Sequence, residues 1–354
     1  MISMQYILGI DGGGSKTIAI LADCTGKVVG SAQAGASNYQ TIGLESACNS
    51  LITVIMEALD GAKATLGTGL VDLERIVIVV GLAGADRPWD KASLSSMLTG
   101  KLPRKPGRFL MENDARIALA GATGIKPGII LIAGTGSIAL GIDDAGSQVR
   151  VGGWGPLLGD EGSGYSIGKA ALTAILREHD GRGKPTSLTG KVLSHLSLTS
   201  PEEIIPLVYQ GPLERPDIAR LAELVLEEAS QGDPVSQHVV IRAAKQLVEM
   251  IGTVLSRLGL TNRPTTIAAT GGLLRPGNPL WEAIDQQLNE YYPLSNLAPP
   301  LLSPVLGAVL LGRDLIDATS PYDEFMDNLT LYHRVSNTTV HRRQPPGEDP
   351  PHSV

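Results

Sequence analysis

The sequence predicts an α/β protein in which one structural unit occurs twice. Short apolar runs alternate with helical stretches along the 354 residues, and the order strand-strand-strand-helix-strand-helix-strand begins again near residue 129. A glycine-rich turn joins two apolar runs near the start of the chain, and a second such turn follows about 120 residues later. These observations together indicate a duplicated unit.

The spacing of apolar residues predicts the elements of the first half. Turn residues separate three short apolar runs, which we assign as strands of a meander at residues 6–10, 17–22 and 27–32. Apolar side chains recur at helical spacing over 44–66, and the β-branched run 76–80 is typical of a strand buried on both faces. A shorter strand at 109–112 and the helical stretch ARIALAGA follow.

The second half repeats the meander and then becomes mostly helical. The predicted elements are strands at 129–133 and 138–142, a short segment ending at Gly152 and Gly153, helices around 168–177, 218–229 and 235–258, a strand at 266–269 and a helix at 304–314. From about residue 341 the composition is proline-rich and charged, which predicts a disordered tail.

Composition and charge argue against several classes of protein. A formal net charge of -7 disfavours a nucleic-acid-binding surface, which depends on clustered basic residues, and the sequence shows no basic stripe. Residues 1–5 do not begin a signal peptide, and no run approaches about 18 apolar residues, so we expect a cytoplasmic protein that does not insert into membranes. Cys24 and Cys48 are too few for a zinc site or a disulfide framework.

The first glycine-rich turn lies in GIDGGGSKT, residues 9–17. A Walker loop requires a glycine directly before Lys-Ser/Thr and a helix directly after it. Here Ser15 stands at the position of that glycine, and residues 17–22 form a short β-branched run that ends at Thr25 and Gly26. The glycines therefore join two antiparallel strands, and the backbone N–H groups of such a hairpin can hold an anion without a helix.

The second turn, Gly134-Thr135-Gly136, also lies between two apolar runs. A Rossmann motif requires a third glycine, whereas Ala139 occupies that position and a strand follows. Two hairpins of this kind can hold the β- and γ-phosphates of ATP from both sides of a cleft between two domains. The alternative is that each is an ordinary structural turn, for which glycine is a preferred residue.

Six segments resemble those of a known family: GIDGGGSKT (9–17), ENDARIALAGA (112–122), LIAGTGSIALG (131–141), GGWGPLLGDEGSGYSIGKAAL (152–172), DGRGKPT (180–186) and ATGGLL (269–274). In this order, over about residues 5–315, they are similar to the BadF/BadG/BcrA/BcrD ATPases of the actin, hexokinase and heat-shock ATPase superfamily, which include N-acetylglucosamine kinases. The resemblance implies two ribonuclease-H-like (actin-like ATPase) α/β domains flanking an ATP cleft. We expect these domains at 1–118 and 119–318, and a C-terminal segment, 319–354, with a helix that returns to the first domain before the tail.

The resemblance also implies an ATP site formed largely by the glycine turns. Asp11, at the end of the first strand, would face Mg²⁺ through bound water, although an aspartate that only forms the turn is the alternative. The expected ATP-binding residues are Gly13, Gly14, Ser15, Lys16 and Thr17 in the first turn, Gly134, Thr135 and Gly136 in the second, and Gly271, Gly272 and Arg275 after the strand at 266–269. For Lys16 the alternative is a solvated side chain, and for the glycine pair an ordinary strand-to-helix turn.

Asp114 is the expected general base, because in similar sugar kinases an aspartate at this junction lies beside the acceptor hydroxyl. Phosphoryl transfer to an alcohol requires a carboxylate that orients the hydroxyl and accepts its proton. Asp114 is also suited to cap the helix that follows, a role compatible with catalysis. Glu112 and Asn113 are weaker candidates for the base.

The resemblance places sugar contacts in three further segments. The expected residues are Asn38, Asp114, Ser137, Ile138, Gly153, Trp154, Gly155 and Asp160. Asp160 can accept hydrogen bonds from sugar hydroxyls, and its position between glycines is hard to explain structurally. Alternatives are that Asn38 is a turn residue and that Trp154 belongs to the core.

These residues predict a kinase that uses ATP and Mg²⁺ to phosphorylate an amino sugar, with N-acetylglucosamine and its 6-hydroxyl as the first hypothesis. N-acetylmuramic acid, glucosamine and glucose are alternative substrates, because discrimination at C2 or C3 depends on a few pocket groups. The related ATPase activators of CoA-ester reductases and dehydratases bind an iron–sulfur cluster through cysteines in the second half of the chain, where this sequence has none. A regulatory module without catalysis is a third alternative, against which the three aspartates argue. A homodimer is common among similar proteins.

Overall fold

The structure, a computed structural model, describes residues 5–67, 72–85, 87–316 and 320–341. The strands are β1 (Tyr6–Gly12), β2 (Thr17–Asp23), β3 (Val28–Ala34), β4 (Ile76–Leu82), β5 (Arg108–Asn113), β6 (Gly128–Ala133), β7 (Ser137–Ile142), β8 (Gln148–Gly152), β9 (Thr265–Thr270) and β10 (Ser295–Ala298). The α-helices are α1 (Tyr39–Ile42), α2 (Leu44–Leu66), α3 (Pro88–Lys101), α4 (Asp114–Thr123), α5 (Gly164–His179), α6 (Leu188–His195), α7 (Ile204–Tyr209), α8 (Arg215–Ser230), α9 (Pro234–Arg257), α10 (Pro279–Tyr291), α11 (Pro304–Arg313) and α12 (Tyr322–His341).

The chain divides into two compact units, and each contains a five-stranded sheet of the same topology. The first unit comprises Met1–Ile125 and Leu301–Val354, and the second comprises Lys126–Pro300. The strand order is β3-β2-β1-β4-β5 in the first unit and β8-β7-β6-β9-β10 in the second. In both, three antiparallel strands form a meander whose first strand pairs in parallel with a fourth. The predicted duplication is therefore confirmed, and each unit has the expected ribonuclease-H-like α/β fold.

Helices cover both faces of the first sheet. Leu8 and Ile10 of β1 belong to a buried cluster with α2 and α3, whereas Ile7 of the same strand packs with α4 and α11. This alternation along β1 is that of a strand between two layers. All seven residues of β4 are buried, as its continuous β-branched run predicts.

The end of the chain belongs to the first unit, where α11 packs against α4 and β1. A Cβ added to Gly307 would lie 2.0 Å from the Ile117 carbonyl oxygen and 2.4 Å from the Gly121 nitrogen, so α4 and α11 are in very close contact. The boundaries between the compact units therefore lie after residues 125 and 300, and not after the expected residues 118 and 318. The reason is that α4 and α11 form one layer of the first unit.

Helix α12 also packs on the first unit. Phe325 is fully buried beside the turn between β2 and β3, and Asn328 donates a hydrogen bond of 2.9 Å to the Thr25 carbonyl oxygen. These contacts agree with the helix that the resemblance implies. The disordered tail expected from about residue 341 lies almost entirely at 342–354, outside the described residues.

The second unit has one large hydrophobic core between its sheet and its helices. Ile129 and Leu131 of β6 pack with buried side chains of α5, α8 and α9. None of the described helices combines the length and the hydropathy that crossing a bilayer requires.

The sequence patterns assign no range to α1, α3, α6, α7, α10, α12 and β10. The start of α10 has a recognisable signal, because Asn278 caps it and Pro279 occupies its first position. Strand β10 covers four residues, too few to show an alternating pattern.

Candidate functional site

The first glycine-rich turn is a hairpin between β1 and β2, as predicted. Gly12 pairs with Thr17 in the ladder, and the Gly13 N–H donates to the Lys16 carbonyl oxygen at 3.0 Å. Gly14 and Ser15 are exposed, and their N–H groups donate to no protein acceptor among the described residues. The backbone N–H groups at the tip of this hairpin can therefore donate hydrogen bonds to an anionic ligand.

Thr17 does not lie at this surface, which corrects the expectation that it contacts ATP. Its side chain is fully buried, and its hydroxyl donates to the Gly35 carbonyl oxygen at 2.7 Å and lies 2.8 Å from the Ser37 hydroxyl. Its role is to fasten the hairpin to the segment after β3. Ser15 and Lys16 remain exposed beside the free amides.

Two carboxylates meet at the edge of the first sheet where its parallel strands end. Asp11 pairs in register with Gly81 of β4, which pairs with Glu112 of β5, and Asp114 follows two residues later at the start of α4. Burial, and next the charge of Asp114, raise the pKa of Asp11 from 3.8 to about 6, against a smaller lowering by Lys16. The charge of Asp114 therefore acts on Asp11 at this edge of the sheet.

Asn113, and not Asp114, is the N-cap of α4. The Asn113 side-chain oxygen accepts a hydrogen bond of 2.7 Å from the Arg116 N–H, whereas Asp114 is exposed at the first helical position. Glu112, the other candidate base, is bound to the Lys91 ammonium at 2.5 Å. Both competing side chains thus have structural partners, while the Asp114 side chain, which accepts a hydrogen bond of 2.9 Å from the Ala115 N–H, is exposed.

Asn38 lies beside the first hairpin. Its backbone N–H donates to the Gly13 carbonyl oxygen at 3.1 Å, and its side-chain oxygen accepts from the Gln40 N–H at 3.1 Å, as the N-cap of α1. The turn role considered as an alternative is therefore present. The side-chain nitrogen donates to no protein acceptor among the described residues, and so is available to a ligand.

The second glycine-rich turn is a hairpin between β6 and β7, in contact with the start of α5. The Gly134 carbonyl oxygen accepts from the Gly164 N–H at 2.7 Å, and Thr135 is exposed at the tip. Gly271, with φ of +114°, lies so close that an added Cβ would be 2.2 Å from the Ala133 carbonyl oxygen. The end of β9 and the second hairpin therefore form one continuous backbone surface, which only glycine at position 271 permits.

Asp160 lies under this hairpin and forms an ion pair with Arg215. The distance from Arg215 Nη2 to Asp160 Oδ2 is 2.6 Å, and the side chains are 40% and 4% exposed respectively. A Cβ added to Gly136 would lie 3.0 Å from each of these two atoms. Asp160 has φ of +60°, which is uncommon for a residue other than glycine and indicates that the surrounding loop fixes it in place.

The hydroxyl of Ser137, an expected sugar contact, is already bonded within the second unit. It is buried, and its hydroxyl donates to the Glu161 carbonyl oxygen at 2.7 Å. This bond ties the loop that carries Asp160 to the second hairpin. The neighbouring Ile138 is half-buried and lies against Gly153.

The loop between β8 and Asp160 exposes apolar side chains. Trp154 is 71% exposed, so the alternative that it belongs to the core is wrong. The Arg150 guanidinium lies 5.6 Å from the centre of the Trp154 ring and donates to the Gly153 carbonyl oxygen. Gly153 and Gly155 have positive φ, which lets the backbone turn tightly around this ring.

The remaining expected ATP-binding residues, Gly272 and Arg275, are exposed after β9. A Cβ added to Gly272 would meet nothing within 4 Å, so this backbone is open to a ligand. Arg275 forms no ion pair with another described residue.

Arg215 is the site residue that sequence patterns miss. It is separated from Asp160 by 55 residues, and it lies at the first position of α8, where a basic side chain has no recognisable motif. The expected residues thus fall into two groups: Asp11, the first hairpin, Asn38 and Asp114 in the first unit, and the second hairpin, Trp154, Asp160 and the end of β9 in the second unit.

Comparison with known proteins gives a consistent result. The chain is 36% identical over 314 residues to the N-acetylmuramic acid/N-acetylglucosamine kinase of Clostridium acetobutylicum, covering 89% of this chain and all of that protein. It is 33% identical over 323 residues to the N-acetyl-D-glucosamine kinase of Dictyostelium discoideum, covering 88% and 98% respectively. A crystal structure of a candidate N-acetylglucosamine kinase from Chromobacterium violaceum matches with a TM-score of 0.67 at 25% identity, covering 87% of this chain and 99% of that one.

A family model matches most of the chain, including the sheets of both units. The model of the BadF/BadG/BcrA/BcrD ATPase family covers residues 8–312, from β1 into α11. Together with the topology of the two sheets, this shows that the chain belongs to the BadF/BadG/BcrA/BcrD ATPase family.

Proposed function

We propose that the chain is an ATP-dependent amino-sugar kinase that converts N-acetylglucosamine to N-acetylglucosamine 6-phosphate. The observation that carries the proposal is the pair Asp11 and Asp114 beside a hairpin whose tip amides have no protein acceptor among the described residues. The kinase names of two relatives at 36% and 33% identity support the same activity. We expect a cytoplasmic enzyme that forms a homodimer, which light scattering on the purified protein would check.

Asp114 is the general base in this proposal. The sugar 6-hydroxyl oxygen attacks the γ-phosphorus of ATP, its proton moves to the Asp114 carboxylate, and the bond from the γ-phosphorus to the bridging oxygen breaks to release ADP. Its exposure at the first position of α4 supports this role, because the carboxylate can reach a ligand in front of the helix.

Asp11 is the residue that would hold Mg²⁺, directly or through water. The cation supplies positive charge to the phosphates, and hard carboxylate oxygens suit it. The raised pKa of Asp11 supports the assignment, because a half-buried carboxylate beside a second acid lacks enough positive charge nearby to favour its ionised form.

The second unit contributes sugar and nucleotide contacts in this proposal. The Asp160 carboxylate, held by Arg215, accepts hydrogen bonds from sugar hydroxyls, and the exposed Trp154 ring packs against the ring or the acyl group of the sugar. Gly271, Gly272 and Arg275 receive the nucleoside part of ATP, where the backbone is open.

An assay of ADP release against N-acetylglucosamine, N-acetylmuramic acid, glucosamine and glucose tests the proposed activity. We expect the highest kcat/KM for N-acetylglucosamine and a product whose phosphorus couples to the C6 protons in NMR. The Asp114→Ala variant, purified in parallel, measures any contaminating kinase. Negligible turnover with all four sugars would contradict the proposal.

Two single variants test whether each hairpin binds ATP. Ser15→Ala in the first hairpin and Thr135→Ala in the second each remove an exposed hydroxyl. If the hydroxyl binds a phosphate group, its loss should raise KM for ATP several-fold, the effect of about 1 kcal/mol, while the free energy of unfolding stays within about 0.5 kcal/mol of the parent. An unchanged KM for ATP in either variant would argue that its hairpin does not bind the phosphates.

A further inference from the structure

A groove of about 880 Å³ lies in the second unit between α5 and α9, apart from every residue assigned above to substrate or ATP. Its base is apolar, with Ile167 of α5 and Ala243 of α9 buried. Its volume lies in the range of small-molecule sites, roughly 300–1,000 Å³. Neither the sugar chemistry nor the nucleotide chemistry proposed above uses this groove.

The Lys, Arg and His side chains that line the groove are not accompanied by an acidic residue among its lining. They come from α5, α9 and the loop after α5: Lys169, Arg177, Arg182, Lys184, His238 and Arg242. No aspartate or glutamate lines it, although the chain as a whole carries a formal charge of -7. The sequence shows no basic stripe because these residues are spread over 74 positions, from 169 to 242, and only the fold collects them.

The helical spacing places the charges on the two facing walls. Lys169, Thr173 and Arg177 follow one another at intervals of four residues on α5, and His238, Arg242 and Gln246 do so on α9. At 1.5 Å per residue, Lys169 and Arg177 are about 12 Å apart along their helix. The positive charge is thus distributed along the groove and is not concentrated at one position.

The loop that closes one end of the groove is the DGRGKPT segment, which none of the proposed chemistry uses. The Gly183 N–H donates to the Arg177 carbonyl oxygen at 2.7 Å, and the Thr186 hydroxyl donates to Asp233 Oδ2 at 2.9 Å. The loop is therefore bound to the end of α5 and to the cap of α9. Capping alone explains the glycines and Thr186, but it gives no reason for a basic residue at position 184.

Among the described residues, the acidic counterion of the groove is Asp180, whose charge interacts with both Arg182 and Arg177. Arg182 is bound to Asp180. In contrast, Lys169, Lys184 and Arg242 form no ion pair with any other described residue. Several like charges gathered without counterions repel one another, and an anionic ligand would remove that cost.

We propose that this groove binds a phosphorylated small molecule, one that carries at least two phosphate groups and spans both helices. Lysine and arginine are the side chains that bind phosphate oxygens with charge-assisted hydrogen bonds. The apolar base suits a ligand with a non-polar or ring portion between its anionic groups. The inference stands independently of the kinase activity, because none of its residues belongs to the proposed active site.

Chemical footprinting of lysines tests the site in the unmodified protein, with inorganic pyrophosphate as the probe. Acetylation of each lysine is followed by mass spectrometry with and without pyrophosphate. We expect several-fold slower acetylation of Lys169 and Lys184, and no change at Lys245, which is also exposed on α9 but does not line the groove. Protection of Lys16 alone would place the probe at the first hairpin only and would overturn the proposal, as would equal protection of all lysines.

A pair of matched double variants separates specific binding from general charge. Lys184→Ala/Arg242→Ala removes two groove charges, whereas Lys245→Ala/Arg257→Ala removes the same two residue types from exposed positions of α9 outside the groove. By calorimetry, the groove variant should bind pyrophosphate at the groove at least about tenfold more weakly, the effect of one lost charge-assisted hydrogen bond. Equal affinity of both variants and the parent protein would exclude the site.

Discussion

The two units share a sheet topology but surround their candidate-site aspartates with different charges. In the first unit, Asp11 and Asp114 lie close together at the sheet edge, and burial together with the charge of Asp114 raises the pKa of Asp11 to about 6. In the second unit, Asp160 is more deeply buried, but it has an arginine partner at 2.6 Å. The same hairpin framework therefore carries a carboxylate whose ionised form is disfavoured in one unit and a carboxylate paired with an arginine in the other.

This difference teaches how a duplicated fold can divide its chemistry. A carboxylate whose ionised form is disfavoured is stabilised by a bound cation or by a proton. These are the properties that a metal ligand and a general base require. A carboxylate already held by arginine keeps a fixed position and charge, which suits recognition of hydroxyl groups. The comparison makes predictions of opposite sign for similar substitutions in the two units.

The largest expected effect is that of Asp114→Ala on turnover. Loss of the general base should reduce kcat by on the order of 10² to 10⁴, while the Kd for ATP, measured by calorimetry, changes little. Asp323→Asn is a matched control, because Asp323 also lies exposed in the first turn of a helix of the first unit. Full activity of the Asp114→Ala enzyme would show that Asp114 is not the general base.

Asp11→Asn should raise stability while lowering activity. The shift in the pKa of Asp11 from 3.8 to about 6 corresponds to about 2 to 3 kcal/mol. Because the folded state holds the Asp11 proton more tightly than the unfolded chain, the stabilising contribution of Asp11 is fully present below about pH 4 and is lost as the pH rises through 6. Urea unfolding without ligands should therefore show no gain for the variant at pH 4 and the full gain at pH 7. A gain that is independent of pH would contradict the titration of Asp11.

Arg215→Ala should destabilise the second unit because it leaves the buried Asp160 without its partner. The expected cost is about 1 to 3 kcal/mol, since partial exposure of the arginine weakens the ion pair. KM for the sugar should rise more than kcat falls. Adding Asp160→Asn to this variant should restore part of the lost stability, as judged by urea unfolding. If the double variant is less stable than Arg215→Ala alone, the charge pair is not what holds Asp160.

The smallest expected effect concerns Thr17. Thr17→Val keeps the shape of the side chain but removes the hydroxyl that bonds to the Gly35 carbonyl oxygen and to the buried Ser37 hydroxyl, which should cost about 1 to 2 kcal/mol. Thr17→Ser, which retains the hydroxyl, serves as the control. If Thr17 only fastens the hairpin, KM for ATP should differ by less than about twofold between Thr17→Val and Thr17→Ser; a much higher KM in Thr17→Val would return the Thr17 hydroxyl to the ATP site.

Much of the fold follows from local sequence. The strands of both meanders, the two hairpins and helices α2, α5, α8, α9 and α11 were predictable, because apolar spacing and glycine turns are short-range signals. The unit boundaries were not, because they depend on the contact between Gly121 and Gly307, which lie far apart in the chain.

The candidate site was predictable only in part, for a similar reason. Motifs indicate which residues lie at a turn, but they do not reveal which polar atoms are already bonded. The hydroxyls of Thr17 and Ser137 point inward to Gly35 and Glu161, and the cap of α4 falls on Asn113. Each of these outcomes depends on a partner that only the folded chain brings into reach.

The left-handed backbone at Asp160 has a consequence for redesign of this protein. Asparagine and glycine tolerate such a conformation, whereas β-branched side chains do not, so few substitutions at position 160 would preserve the loop. In the proposed site, a change of sugar preference is therefore more accessible through Trp154, whose ring is 71% exposed and contacts the Arg150 guanidinium.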